Sequence, residues 1–176
     1  MSDAVSLSVW QGAVEAGATD ISRDGFQFQG FEVLERCGEI PQGMPGSFIP
    51  LVATNESVQV GIVSTQQGCE TMARSLMQLP SGESLSAADM ADALAEAANI
   101  LAGYVKRNMQ DHLNPVQLGL PLFVNGHLET SDRMRAAVTR VRMGAVEAAV
   151  IVLRAAEWQS AREGAENTSG RRLSNT

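Results

Sequence analysis

The chain has 176 residues, 44% of them apolar and 19% charged, which suits one globular domain around a single core and excludes wholesale disorder. Thirteen Lys and Arg stand against 20 Asp and Glu, a formal charge of -7. A phosphate-backbone partner needs concentrated positive surface, so no nucleic acid is expected. Cys37 and Cys69 lie far apart and neither has a CxxC companion, so a zinc site and a thioredoxin-like motif are both excluded and reduced thiols are expected. The N-terminus has no basic region before an apolar run, and the longest apolar stretch, near 148–153, is far too short to span a bilayer. The expectation is a cytoplasmic protein with no membrane partner.

Residues 4 to about 18 mix Val5, Leu7, Val9, Trp10, Val14 and Ala18 at helical spacing, with a break expected near Gly17. Phe26 and Phe28 alternate with Gln27 and Gln29 and run on to Val33 and Leu34, the pattern of a first strand with a bulge. Pro and Gly concentrate at 40–46 and mark a loop. The runs 47–54 and 57–64 flank Asn55-Glu56 as a β-hairpin. Helical spacing resumes over 66–79 through Met72, Leu76 and Leu79, until Pro80-Ser81-Gly82 stops it. Ser86 precedes Asp89 by three residues, a capping-box variant that opens the longest helix-favouring run of the chain, 87 to about 111. Strand-like composition follows at 116–124, at 139–143 and at 146–153, with Asn125-Gly126 as a turn; frequent Ala leaves one long helix open for the last two segments. This order predicts an α+β fold, an antiparallel β-sheet with two long helices packed on one face, in a domain over 1–156. Residues 157–176 are polar and Gly-containing and are expected to form a flexible C-terminal tail.

On the third helix, Met90, Leu94, Ala98, Leu101 and Val105 gather on one side, while Asp92, Glu96, Asn99, Gly103, Arg107 and Gln110 gather on the other. A polar stripe is what any surface helix carries. Asn and Gly are poor helix formers, though, and an interior Gly costs roughly 1 kcal/mol relative to Ala, which points to a close approach at this stripe.

Asp92, Glu96, Asn99 and Gly103 fall in the run DALAEAANILAG, which resembles the E-x-x-N-x-x-x-G helix motif of CheX and CheC chemotaxis phosphatases. Tyr104 to Arg107 is similar to the stretch that follows this motif in CheX, and VQVGIV at 58–63 and LGLP at 118–121 resemble its flanking strands. Ala95 stands where the family often has Gly. The CheC type carries two copies of the motif and one is found here, which favours the CheX-like branch of the CheC/CheX/FliY family.

The resemblance implies a phosphatase acting on the phosphoaspartate of a CheY-like receiver domain in chemotaxis or related two-component signalling. Asn99 would orient the attacking water, and Glu96 would dock a cation of the receiver. Asp92, Gly103 and Arg107 would complete the partner-binding surface, although Gly103 could equally accommodate a neighbouring helix of this chain. The resemblance further implies Mg²⁺ held by the receiver, no cofactor on this chain, and a homodimer formed by sheet extension, with 146–153 as the edge seeking a partner. The alternative is a non-catalytic receiver-binding or flagellar-switch adaptor of the same fold. His112 and His127 lack ligand companions at metal spacing, Ser64, Ser75 and Ser81 lack a nucleophile context, and the eight methionines read as core filling.

Overall fold

Val146, Ala148, Val150 and Val152 point to one face of a strand, and Ala149, Ile151 and Leu153 point to the other, all of them buried. A strand that is apolar on both faces has to sit in the middle of a sheet with both faces covered. In the computed structural model, which describes residues 4–156, the elements run α1 (Leu7–Asp20), β1 (Phe31–Cys37), β2 (Gly46–Val52), β3 (Ser57–Ser64), α2 (Gln66–Leu76), α3 (Ala87–Met109), β4 (Gln117–Leu118), β5 (Leu122–Val124), β6 (Met134–Met143) and β7 (Val146–Ala155). The strand order is β1-β6-β7-β3-β2-β4, with β5 also on β2. Every pair is antiparallel. The α+β expectation holds, with the helices on one face. The tail expected at 157–176 lies outside the described residues.

The helix-covered face carries the main core: Ile49 and Leu51 of β2, Val58, Val60 and Ile62 of β3, and the even-numbered residues of β7 meet Trp10 and Val14 of α1 and Leu94 and Leu101 of α3. The opposite face builds a smaller cluster from Phe48, Val63, Val138, Ile151 and Leu153, over which Ile40, Met44 and Leu128 of the connecting loops pack.

Several elements depart from the sequence expectations, each for a local reason. The first helix does not stop at Gly17; it continues to Asp20 and is extended by one π-helical turn, Ile21–Gly25. Gly17 is buried where α1 crosses α3, and a Cβ there would lie 3.1 Å from Leu101 Cδ1, so its small size serves packing rather than termination. The first strand starts at Phe31 rather than Phe26. Gln27 and Gly30 both take positive φ and turn the chain, which leaves Phe26 in the core 5.3 Å from the ring of Phe28. The expected bulge is present, between Val33 and Glu35. The segment 116–124 splits into β4 and β5 because Pro50 of β2 has no N–H to offer; its carbonyl instead accepts from Gly119 between the two short strands. Residues 134–155 form two long strands and no helix. β7 is not an edge: it lies between β6 and β3, so sheet extension through 146–153 is ruled out. The outer strands are β1, which carries Glu32, Glu35 and Arg36, and β4 with β5.

Glu56, at the head of the hairpin, ties together the segment at and before α1 and the end of β7. It accepts from Trp10 Nε1 at 2.9 Å and from Val5 N at 3.2 Å, and pairs with Arg154 at 3.2 Å. The two charged side chains are only 5% and 14% exposed. Removing Glu56 takes away at once the acceptor of the Trp10 and Val5 N–H groups and one ion-pair partner of Arg154, in a largely buried setting. Glu56→Ala is therefore expected to lower stability by about 3–5 kcal/mol in urea unfolding, and a loss below about 1 kcal/mol would show that the pair is solvated in solution.

The buried Cys69 thiol donates to the carbonyl of Pro45, and burial pushes its pKa up to about 11, whereas Cys37 is partly exposed. Because the thiolate is the reactive form, disulfide reagents near neutral pH are expected to label Cys37 rapidly in the folded protein and Cys69 only in denaturant. Equal rates for both thiols would contradict this core.

Candidate functional site

The longest helix begins at Ser86, whose Oγ accepts from Asp89 N at 3.0 Å and donates to the Asp89 carboxylate at 2.6 Å. Lys106 and Arg107 close its last turn, where cations meet the negative end of the helix dipole. Met90, Ala93, Leu94, Ala97, Ala98, Leu101, Ala102, Val105 and Met109 are all buried. They pack on α1, α2 and β2. With that much of its circumference in the core, α3 cannot rotate, and its outward direction is set.

Asp92, Glu96, Asn99, Gly103, Arg107 and Gln110 all lie on the outward side and are exposed. Glu96 and Asn99, three residues apart, are neighbours on the helix surface. Among the described residues neither side chain, nor that of Asp92, makes a hydrogen bond or ion pair. An ideal Cβ at Gly103 meets nothing within 4 Å. Among the described residues no neighbouring helix requires this glycine: the space beside it is open.

Arg107 differs from the rest of the stripe. Its guanidinium bonds Asp20 Oδ2 at 2.9 Å, where Arg23 also binds, and lies 4.9 Å from the Tyr104 ring centroid. It is a positioned cation at the α1–α3 junction, and this contact spans 87 positions of sequence. Beside it, Asn108 Nδ2 donates to the carbonyl of Ala13 at 3.2 Å and fixes the same crossing.

Two residues escaped the sequence reading. Asn108 gives no sequence signal, because its partner is a backbone atom of α1. Lys106 could have been found: at 100° per residue it points within about 20° of Asn99, two turns on. It is exposed and makes no ion pair or hydrogen bond among the described residues. A hollow of about 300 Å³ starts at Gly103 and is lined further by Lys106, Gln110, Leu113 and Val116.

His127 pairs with Glu129 at 3.0 Å on the surface, and His112 is exposed beyond α3. Among the described residues no three His, Cys, Asp or Glu side chains gather to hold a metal ion, and no helix is long and apolar enough to cross a membrane. What α3 offers is a rigid ridge with an acidic end, an amide in the middle, a bare backbone turn and a basic end.

Comparison with known proteins bears on the family and the fold. The family model described as chemotaxis phosphatase CheX matches residues 47–141, more than half of the chain and the whole of α3. No curated protein matches. Among solved structures, a chemotaxis protein CheX from Desulfovibrio desulfuricans shares 11% identity over 84% of this chain and 99% of its own, with a TM-score of 0.69. CheX in the CheX–CheY–BeF3–Mg²⁺ complex from Borrelia burgdorferi shares 13% over 82% and 96%, with a TM-score of 0.64. The FliM middle domain from H. pylori shares 8% over 86% and 94%, with a TM-score of 0.58. At these identities the structural likeness speaks for the fold; the family model speaks for kinship. The chain belongs to the chemotaxis phosphatase CheX family.

Proposed function

We propose that the chain hydrolyses the phosphoaspartate of a CheY-like receiver domain, with Asn99 as the catalytic residue that orients water and Glu96 as the residue that docks the receiver. The observation that carries this reading is a Glu and an Asn one turn apart, exposed and without partners among the described residues, on a helix locked in place, within a CheX family member.

An acyl phosphate loses its phosphoryl group by in-line attack: the bond from water oxygen to phosphorus forms as the bond from phosphorus to the aspartate carboxylate breaks, yielding inorganic phosphate and a free carboxylate. The attacking water needs placement more than deprotonation, and a side-chain amide supplies it, as the glutamine of small GTPases does. The receiver brings its own Mg²⁺ and with it most of the charge stabilisation; the CheX–CheY complex from Borrelia burgdorferi contains both BeF3 and Mg²⁺. Glu96 then meets a cation beside the phosphorylation site and sets the register of docking. Asp92 and Arg107 border the contact, and Gly103 lets the partner's backbone come close. On this reading the activity is a cytoplasmic one.

The second reading is a non-catalytic receiver-binding or flagellar-switch adaptor, supported by the FliM middle domain having the same fold. Receivers phosphorylated with acetyl phosphate separate the two. Under the first reading the wild type accelerates phosphate release, Asn99→Ala loses roughly 100-fold or more of that acceleration, and Glu96→Ala raises the KM for the receiver. Binding without any acceleration, unaffected by Asn99→Ala, makes the adaptor correct.

Gly103 gives a separate check. Gly103→Ala meets no steric obstacle among the described residues and is expected to raise stability by roughly 0.5–1 kcal/mol in urea unfolding while raising the KM for the receiver. A stabilised variant with an unchanged KM would remove Gly103 from the contact.

A further inference from the structure

The outward ridge of α3 is ordered by charge. Asp92 and Glu96 stand at one end, Asn99 and Gly103 in the middle, and Lys106 and Arg107 at the other. Arg107 is already committed to Asp20 at 2.9 Å. Lys106 is not: it is exposed, has no partner among the described residues, and points along the Asn99 line about 10 Å further on, seven residues at 1.5 Å each. It also lines the hollow of about 300 Å³ beside Gly103, together with Arg107, Gln110, Leu113, Asn114 and Val116.

Charge complementation of the helix end accounts for a cation in the last turn. It accounts neither for the hollow nor for the alignment with Asn99. On a chain of formal charge -7, an acidic group on a partner is repelled at the Asp92–Glu96 end and accepted at Lys106. A hollow lined by both apolar side chains and a lysine fits a carboxylate side chain: the methylenes rest inside and the charge meets Lys106.

We propose that Lys106 and this hollow receive an acidic side chain of the receiver, about two helical turns from the phosphoaspartate, so that a cation of the receiver on Glu96 and a carboxylate on Lys106 allow only one orientation on the helix. This rests on the phosphatase reading and deepens it. Lys106 is a positioning residue: it acts on which encounters are productive, and the water stays with Asn99. A rim charge of this kind governs association and its salt dependence more than the chemical step.

The test uses receivers phosphorylated with acetyl phosphate and follows steady-state phosphate release by the wild type, Lys106→Glu, Lys106→Gln, Lys106→Arg and Asn99→Ala. Lys106→Glu is expected to raise the KM for the receiver about threefold to tenfold with kcat within about twofold, and Lys106→Gln to do so less. Lys106→Arg restores the wild-type KM, and both uncharged and reversed variants show a shallower rise of KM with salt. Replacing the matching receiver carboxylate with Lys is expected to rescue Lys106→Glu selectively. An unchanged KM and salt slope in Lys106→Glu, with Asn99→Ala still inactive, overturns this inference and leaves the phosphatase reading intact. A fall in kcat without a change in KM overturns it as well, since it places Lys106 outside docking. No acceleration by the wild type with any receiver overturns both.

Discussion

Everything the surface of this protein offers depends on how α3 is held. Its buried residues form a broad apolar face that meets β2 on one side and α1 on the other. Four of them, Ala93, Ala97, Ala98 and Ala102, are small enough for close approach. Gly17 does the same from α1, and the Asn108 amide and the Arg107–Asp20 pair pin the crossing at its far end. A helix clamped along its length has no freedom about its axis, so residues on its outward side keep their directions without support of their own. This is why a Glu, an Asn and a Lys with no hydrogen-bond partners among the described residues still make a defined surface.

The clamp also explains the tolerance for poor helix formers. Gly103 costs roughly 1 kcal/mol relative to Ala, and Asn99 somewhat less. Full burial of Leu94 or Leu101 stabilises by about 1.5–3 kcal/mol each, so the inward face outweighs both losses. The outward positions are thereby released from propensity and can be chosen for their chemistry. An amide that orients water and a turn without a Cβ both belong to that class, and both would be anomalies on a helix that had to hold itself together.

Much of this was legible in the residues. Ser86 and Asp89 mark the start of α3, the 3.6-residue period separates its two faces, and the β2–β3 hairpin follows from two apolar runs around Asn55-Glu56. The motif Glu96-x-x-Asn99 pointed to a family, which the match over 47–141 bears out. What escaped was long-range. Gly17 reads as a stop until Leu101 lies against it. Arg107 gives no sign in the sequence of its pairing with Asp20, 87 positions away. Residues 146–153 read as an edge or a helix until β6 and β3 flank them. Periodicity reports which face of an element is apolar; it does not report which other element supplies the cover.

A site built this way has consequences for how selectivity can arise. Under the phosphatase reading the reactive group, the Mg²⁺ and most of the charge stabilisation come from the receiver. What remains for this chain to control is the pose. One contact fixes a point, and a second at a distance fixes a direction. With Asn99 between Glu96 and Lys106, about 15 Å apart along the axis, a receiver laid on the helix in reverse would bring like charges together at both ends, a juxtaposition that costs several kcal/mol at a desolvated interface. Discrimination among receivers then comes from repelled poses as much as from favoured ones, and it requires the two charges to keep their spacing, which returns the argument to the rigidity of α3.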